Sequence, residues 1–151
     1  MQGALAVRDL LTRLGLKSFV KLSGGKGVHI HAPLRPSYSW EQVRGFCHAV
    51  ARQLESEAPE RFTAVLSKSA RGGRIFVDYL RNGRGATFIA PFSVRARQGA
   101  PIAVPVAWSA LGPQLRPDAY SVRTLDRYLR DYPRDPWSGF TRLRQPLSLF
   151  E

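Results

Sequence analysis

Apolar residues recur along this chain at two spacings, one helical and one of strand type, in mixed order. Leu5, Leu10, Leu11 and Leu14 fall on one helical face in a polar background, and Gly15 marks the end. Lys17 to Leu22 reads as a strand. Ser23-Gly24-Gly25-Lys26-Gly27 reads as a tight turn, and Val28 to His31 as a second strand. Val28 and Ile30 then face one way, His29 and His31 the other. A connection this short predicts a hairpin. Ser39 is a candidate N-cap with Gln42 in the capping-box position. Val43, Phe46, Cys47, Val50 and Leu54 form the apolar stripe of a long helix behind it.

The second half is less regular. Ala64 to Leu66 reads as a short strand. Arg74 to Leu80 is a β-prone run interrupted by Asp78, Asn82-Gly83 signals a hairpin turn, and Thr87 to Val94 reads as the return strand. Gly99 to Pro117 is rich in Pro and Gly, with one helical turn around Trp108 to Leu111. Ser121 to Arg130 reads as a helix with apolar Val122, Leu125 and Leu129. Trp137, Phe140 and Leu143 close over the core or pack on a partner. No repeat, low-complexity tract or domain boundary is visible. The 151 residues therefore read as one domain, long enough to bury a sizeable core.

Composition narrows the function classes. No stretch approaches the roughly 20 apolar residues of a membrane span. The start, Met1-Gln2-Gly3-Ala4-Leu5, lacks the basic-then-apolar pattern of a signal peptide. Cys47 is the sole cysteine, which excludes an internal disulfide framework and a Cys-rich zinc site, and no further ligand follows His48 at metal spacing. A cytoplasmic, nucleoid-associated protein is the expectation. The charge balance is lopsided: 23 Lys and Arg (19 of them Arg) face 11 Asp and Glu, a net +12. Such a surplus suits a polyanion, most simply nucleic acid, though Arg-rich coding habits produce the same surplus.

Three features carry candidate chemistry. In Ser23 to His29, glycines free backbone N–H groups for an anion, Lys26 adds a point charge, and Ser23 and His29 add donors. The order differs from the ATPase P-loop, because Lys26 precedes Gly27 and a strand follows. An ordinary glycine-rich hairpin turn fits the same pattern. Asp78 is a carboxylate within an apolar run, suited to a hard cation or to an ion pair with Arg81, Arg84 or Arg95. On a strand, Arg95 and Arg97 share a face, which suits phosphate recognition or a solvated edge. Together the three make a plausible site for a metal–nucleotide triphosphate.

The run Phe19-Val20-Lys21-Leu22-Ser23-Gly24-Gly25-Lys26-Gly27-Val28-His29 closely resembles the second motif of the polymerase domain of bacterial DNA ligase D, in the archaeo-eukaryotic primase superfamily. Gly73 to Thr87 resembles its third motif. Ala90 to Arg97 and Asp135-Pro136-Trp137 match as well. The resemblance implies an α+β fold, with an RRM-like antiparallel sheet and flanking helices, that forms part of a primase-polymerase catalytic core. It implies that Asp78 is the third metal carboxylate. Ser23, Gly24, Gly25, Lys26, His29 and Arg95 are the implied contacts to the incoming nucleotide. Arg71, Arg74, Arg81 and Arg97 are the expected DNA contacts. The implied cofactor is Mn²⁺ or Mg²⁺, the substrate a nucleoside triphosphate. The implied partners are DNA at 5′-phosphorylated gaps or double-strand break ends, and the Ku protein.

One departure matters. The family's first motif is an Asp-x-Asp pair upstream of the glycine-rich turn. No Asp-x-Asp occurs in this sequence, only 22 residues precede Ser23, and the nearest upstream acid is Asp9. The chain therefore resembles the C-terminal half of the domain, residues 1–151 being that portion. A single carboxylate does not hold two metals. The expectation is a repair polymerase fragment that is inactive alone. A shortened reading frame, a split gene with a separate N-terminal half, or a decayed nucleotide- and DNA-binding remnant would each produce it. A general basic nucleic-acid-binding protein is the weaker alternative. Missing strands would leave exposed edges, predicting low solubility or self-association.

Overall fold

The computed structural model describes residues 1–147. Helix α1 (Gln2–Arg13) leads through Gly15, at φ +75°, into strand β1 (Phe19–Leu22). Strand β2 (Val28–His31) pairs antiparallel with β1 in the register Phe19↔His31 and Lys21↔His29. The predicted hairpin is therefore present. Helix α2 (Trp40–Glu57) starts with a complete capping box between Ser39 and Gln42. Arg13 of α1 donates to Glu57 of α2 at 2.7 Å, tying the two helices on the solvent side.

The central sheet has three strands in the order β2-β1-β5, all antiparallel, with β5 at Val104–Val106. Val20, Leu22, Val104 and Val106 are fully or almost fully buried and pack with Tyr120 and Tyr128. The second cluster joins Leu10, Leu11 and Leu16 to Phe46, Val50, Leu54 and Phe62, and Ile30 touches both clusters. The fold is thus α+β, with an antiparallel sheet flanked by helices. The aromatic tail does close over the molecule. Trp137 is buried, donates from Nε1 to the Val20 carbonyl at 2.8 Å and stacks on Phe140.

Several expectations fail. No hairpin turns at Asn82-Gly83. Strand β4 is only Ile75–Phe76 and pairs in parallel with β3 (Phe62–Thr63), not with Thr87 to Val94. The Asp78 carboxylate accepts the Leu80 N–H at 3.0 Å, and this local turn starts a 3₁₀ segment at Leu80–Asn82 that diverts the chain. Beyond it Thr87 to Val94 forms no strand, and only Val94 bridges to Ile102. Strand β3 lies just before the expected Ala64 to Leu66, where Val65 and Leu66 are exposed. Strand β5 lies inside the Pro-rich tract where no strand was predicted. It is an edge strand, and Lys21↔Pro105 falls between its hydrogen-bonded pairs, so the proline nitrogen faces outward without loss. The apolar stripe Val122, Leu125 and Leu129 is exposed, and α3 (Leu125–Asp131) buries Tyr128 instead.

Candidate nucleotide site

Hairpin register places Lys21 and His29 opposite each other, and Phe19 opposite His31, on the sheet face turned away from Val28 and Ile30. Phe88, half exposed, covers this face, with its ring 6.0 Å from that of His29 and 5.5 Å from that of His31. Lys21 is fully buried, donates to the Ile89 carbonyl and lies 5.4 Å from the Phe88 ring. Burial and then the Arg95 guanidinium lower its pKa to about 8. The sequence reading passed over Lys21. Its burial comes from Phe88 and Ile89, distant in sequence, and so left no signal in the strand pattern.

Turn and arginines meet. Gly24 has φ +63°, and a β-carbon there would stand 2.9 Å from Cγ of Arg95 and 3.1 Å from the Ile102 carbonyl carbon. Only glycine lets the segment carrying Arg95 approach so closely. A β-carbon at Gly25 would lie 3.6 Å from Nη1 of Arg97. The two arginines do not share a strand face as expected. They follow the Val94 bridge into a bend closed by Arg97 N–H donating to the Arg95 carbonyl at 2.8 Å. Tertiary packing still brings both to the turn.

The turn's donors are partly spent. Ser23 N–H and its hydroxyl both donate to the Gly27 carbonyl, and Gly24 N–H donates to the Pro117 carbonyl at 3.0 Å. Gly25, Lys26 and Gly27 N–H have no partner among the described residues, and the Lys26 side chain is exposed. Burial first, and then the charges of Lys21, Arg81 and Arg95, push His29 down to about 4, against an upward pull from Asp78. His31 falls to about 4 for the same first reason, with Lys21 and His29 adding to it. Nδ1 of His29 and Nε2 of His31 are buried without a hydrogen-bond partner among the described residues. His29, Asp78, Arg81 and Arg95 thus lie in one electrostatic neighbourhood, two guanidiniums and one carboxylate acting on a neutral imidazole.

Asp78 is not buried in a strand. It lies beyond β4 with its side chain about two-fifths exposed, 3.4 Å from Nε of Arg81. Arg81 also donates to the Thr87 carbonyl at 2.6 Å. Arg71 donates to Leu66 O at 2.8 Å and lies 4.2 Å from the Phe76 ring. Arg74 donates to Arg71 O at 2.9 Å and Ala70 O at 2.8 Å. These guanidiniums build the loop before β4. The His48 ring lies tilted against that of Tyr79, with 4.4 Å between centroids, a packing role. Asp9 is engaged with Arg8 at 2.7 Å on the helix surface.

The described residues hold no group of three or more His, Cys, Asp or Glu side chains able to bind a metal ion. A two-metal centre does not fit the described residues by themselves. Two surface concavities lie elsewhere, one lined by Gln114, Arg116, Asp118 and Arg127, the other by Ala107, Tyr120, Asp131 and Tyr132.

A family described as the LigD primase-polymerase domain matches residues 1–137. The chain belongs to that family. It is 43% identical over 140 residues to the multifunctional non-homologous end joining protein LigD of Pseudomonas aeruginosa, covering 92% of this chain and 17% of that protein. The Bacillus subtilis bifunctional non-homologous end joining protein LigD is 31% identical over 126 residues, covering 83% of this chain and 21% of its own. The solved polymerase domain from Mycobacterium tuberculosis ligase D, in complex with DNA, superposes with a TM-score of 0.83 at 35% identity. That superposition covers 95% of this chain and 50% of the solved one. The chain therefore spans about a fifth of the curated LigD proteins and half of the solved polymerase domain.

Proposed function

We propose that this LigD-family chain is the triphosphate-binding portion of a nucleotidyltransferase that adds nucleotides to DNA ends in non-homologous end joining. The observation that carries the reading is the close packing of Arg95 and Arg97 on the Ser23–Gly27 turn, beside His29. Lys26, the free amides of Gly25 to Gly27 and the Arg95 guanidinium would hold the phosphates. Neutral His29 would add one ring N–H. Ser23 would shape the turn through Gly27, and its oxygen keeps lone pairs for a further donor. Asp78 would give one oxygen ligand to a divalent ion, Mn²⁺ or Mg²⁺, whose other ligands come from outside this chain.

The expected polymer partner is DNA with a 5′-phosphorylated gap or a broken end, held by Ku, at the nucleoid. Arg97 is the DNA contact whose guanidinium is least committed, whereas Arg71, Arg74 and Arg81 donate to backbone carbonyls. The second reading is a nucleotide- and DNA-binding module without catalysis, favoured by the lack of a carboxylate cluster among the described residues.

The test has two arms. Titration of the chain with ATP should give saturable binding, weakened at least about tenfold by Lys26→Ala or Arg95→Ala, as for loss of a charge-assisted contact. Mn²⁺-dependent incorporation of a labelled ribonucleotide on gapped, 5′-phosphorylated DNA should be absent with the chain alone. Incorporation that Asp78→Ala abolishes would show that the chain assembles a working metal site and would remove the second reading. Absence of ATP binding would overturn the proposal as a whole.

A further inference from the structure

Lys21 is fully buried, yet no carboxylate pairs with it among the described residues. Its Nζ donates to the Ile89 carbonyl and lies 5.4 Å from the Phe88 ring. A buried ammonium without a counter-charge works against folding, and an apolar side chain of similar length would fit the place at less cost. Stability alone therefore does not account for a lysine here. What the ammonium holds is a short span. Arg81 donates to the Thr87 carbonyl at 2.6 Å from one side, and Lys21 donates to the Ile89 carbonyl from the other. Two cations thus grip carbonyls two residues apart, with Phe88 between them. Thr87 to Ile89 forms no strand and makes no backbone–backbone hydrogen bond among the described residues, so these side chains take the place of a ladder.

The span links the parts of the nucleotide site. Upstream, Arg81 also meets the Asp78 carboxylate at 3.4 Å. Downstream, Phe92 N–H donates to the Ala103 carbonyl at 2.6 Å and Arg95 N–H to the Pro101 carbonyl at 2.7 Å, which carries Arg95 to Gly24. In the middle, the Phe88 ring meets that of His29 edge to face, at 83° and 6.0 Å. Nδ1 of His29 has no hydrogen-bond partner among the described residues, which leaves the ring's orientation to packing. Lys21 is also the residue opposite His29 in the hairpin register. We infer that Lys21 is a positioning residue of the nucleotide site, clamping the Thr87–Ile89 span across the hairpin so that Phe88 backs His29 while the Asp78 and Arg95 segments keep their places. Being fully buried, Lys21 reaches no substrate and acts through Phe88 and Ile89. Burial lowers its pKa only to about 8, so the ammonium is present at pH 7. The inference rests on the nucleotide reading above and extends it to a residue outside the phosphate contacts.

ATP titration, thermal melting and NMR of the histidine rings are compared in the parent chain, Lys21→Met, Phe88→Ala and the double variant. Lys21→Met removes the donor and keeps the length. It should leave the melting temperature unchanged or raise it, because apolar volume replaces a buried charge. ATP binding should nevertheless weaken at least about tenfold, as the phosphate contacts lose their preset geometry. The His29 ring resonances should shift in the same variant before any ATP is added, because the Phe88 ring moves away. Phe88→Ala, at a half-exposed position, should weaken ATP binding about threefold. The double variant should bind no more weakly than Lys21→Met, since both changes act through one span. A folded Lys21→Met chain that binds ATP as the parent does, or keeps the parent's His29 resonances, overturns the inference and leaves the nucleotide site standing. Losses that multiply in the double variant, or unchanged ATP binding in Phe88→Ala, do the same. A Lys21→Met chain with lowered melting assigns the ammonium to the fold rather than the site and also overturns it. Absence of ATP binding by the parent chain is a different failure, which removes the nucleotide reading and takes the inference with it.

Discussion

His29 and His31 are neutral at pH 7 because burial and neighbouring cations hold both near 4. An unfolded histidine titrates near 6.5. Between pH 6.5 and 4 the unfolded chain therefore takes up protons that the native state refuses, and stability falls as pH falls. Denaturant unfolding should give a plateau above pH 6.5 and, with partial solvent screening of the rings reducing the full effect, a loss of roughly 2 kcal/mol per histidine by pH 4. His31→Phe, which keeps a ring against Trp137, should remove about half of that slope. A bound triphosphate reverses the electrostatics, and NMR titration should show the His29 pKa moving up when ATP is added. At Gly24 the constraint is steric. Gly24→Ala meets Arg95 and the Ile102 backbone at positive φ and should cost about 2 kcal/mol. Thermal melts would show the loss, and ATP binding should weaken with it because Arg95 is displaced. The glycine-rich turn was legible from residue types. The buried Lys21 and the partial consumption of the turn's donors were not, because each depends on what packs beside it.

At the scale of elements, helix α3 inverts its apparent amphipathicity. Val122, Leu125 and Leu129 are 53%, 38% and 56% exposed, while Tyr128 is buried and donates to Pro105 O at 2.9 Å. Leu129→Ser should change stability by less than about 0.5 kcal/mol, as for an ordinary surface position. Tyr128→Phe should cost about 1 kcal/mol, the usual share of one buried hydrogen bond. The reverse order in a denaturant series would mean that the apolar stripe is covered. Periodicity located this helix but not its buried face, since tyrosine supplies both apolar area and a polar tip that reaches the β5 backbone. The hairpin of β1 and β2 and the capped α2 were readable because their signals are local. The pairing of β3 with β4 was not, because parallel strands are joined by a long connection whose turn residues encode nothing about the partner.

For the whole molecule, net charge sets the binding physics. Affinity for single-stranded DNA should fall linearly on a log–log plot against salt, with a slope of roughly −0.7 for each phosphate contacted. Fluorescence anisotropy at several salt concentrations would measure it. If Arg97 contacts phosphate, Arg97→Ala should reduce the slope by about one contact, while Arg74→Ala, whose guanidinium is spent on loop carbonyls, should act through stability. A slope indifferent to Arg97 would remove it from the interface. The sequence by itself determined the family, the first hairpin, the two long helices and the cationic surplus, because motifs, local turns and periodic stripes are written in neighbouring residues. Tertiary structure alone decided that Arg95 and Arg97 close on Gly24 and Gly25, that Pro105 sits in an edge strand, and that β2 and β4 end in open edges. Each of these depends on contacts between residues far apart in the chain, and burial, charge and backbone pairing act there through space.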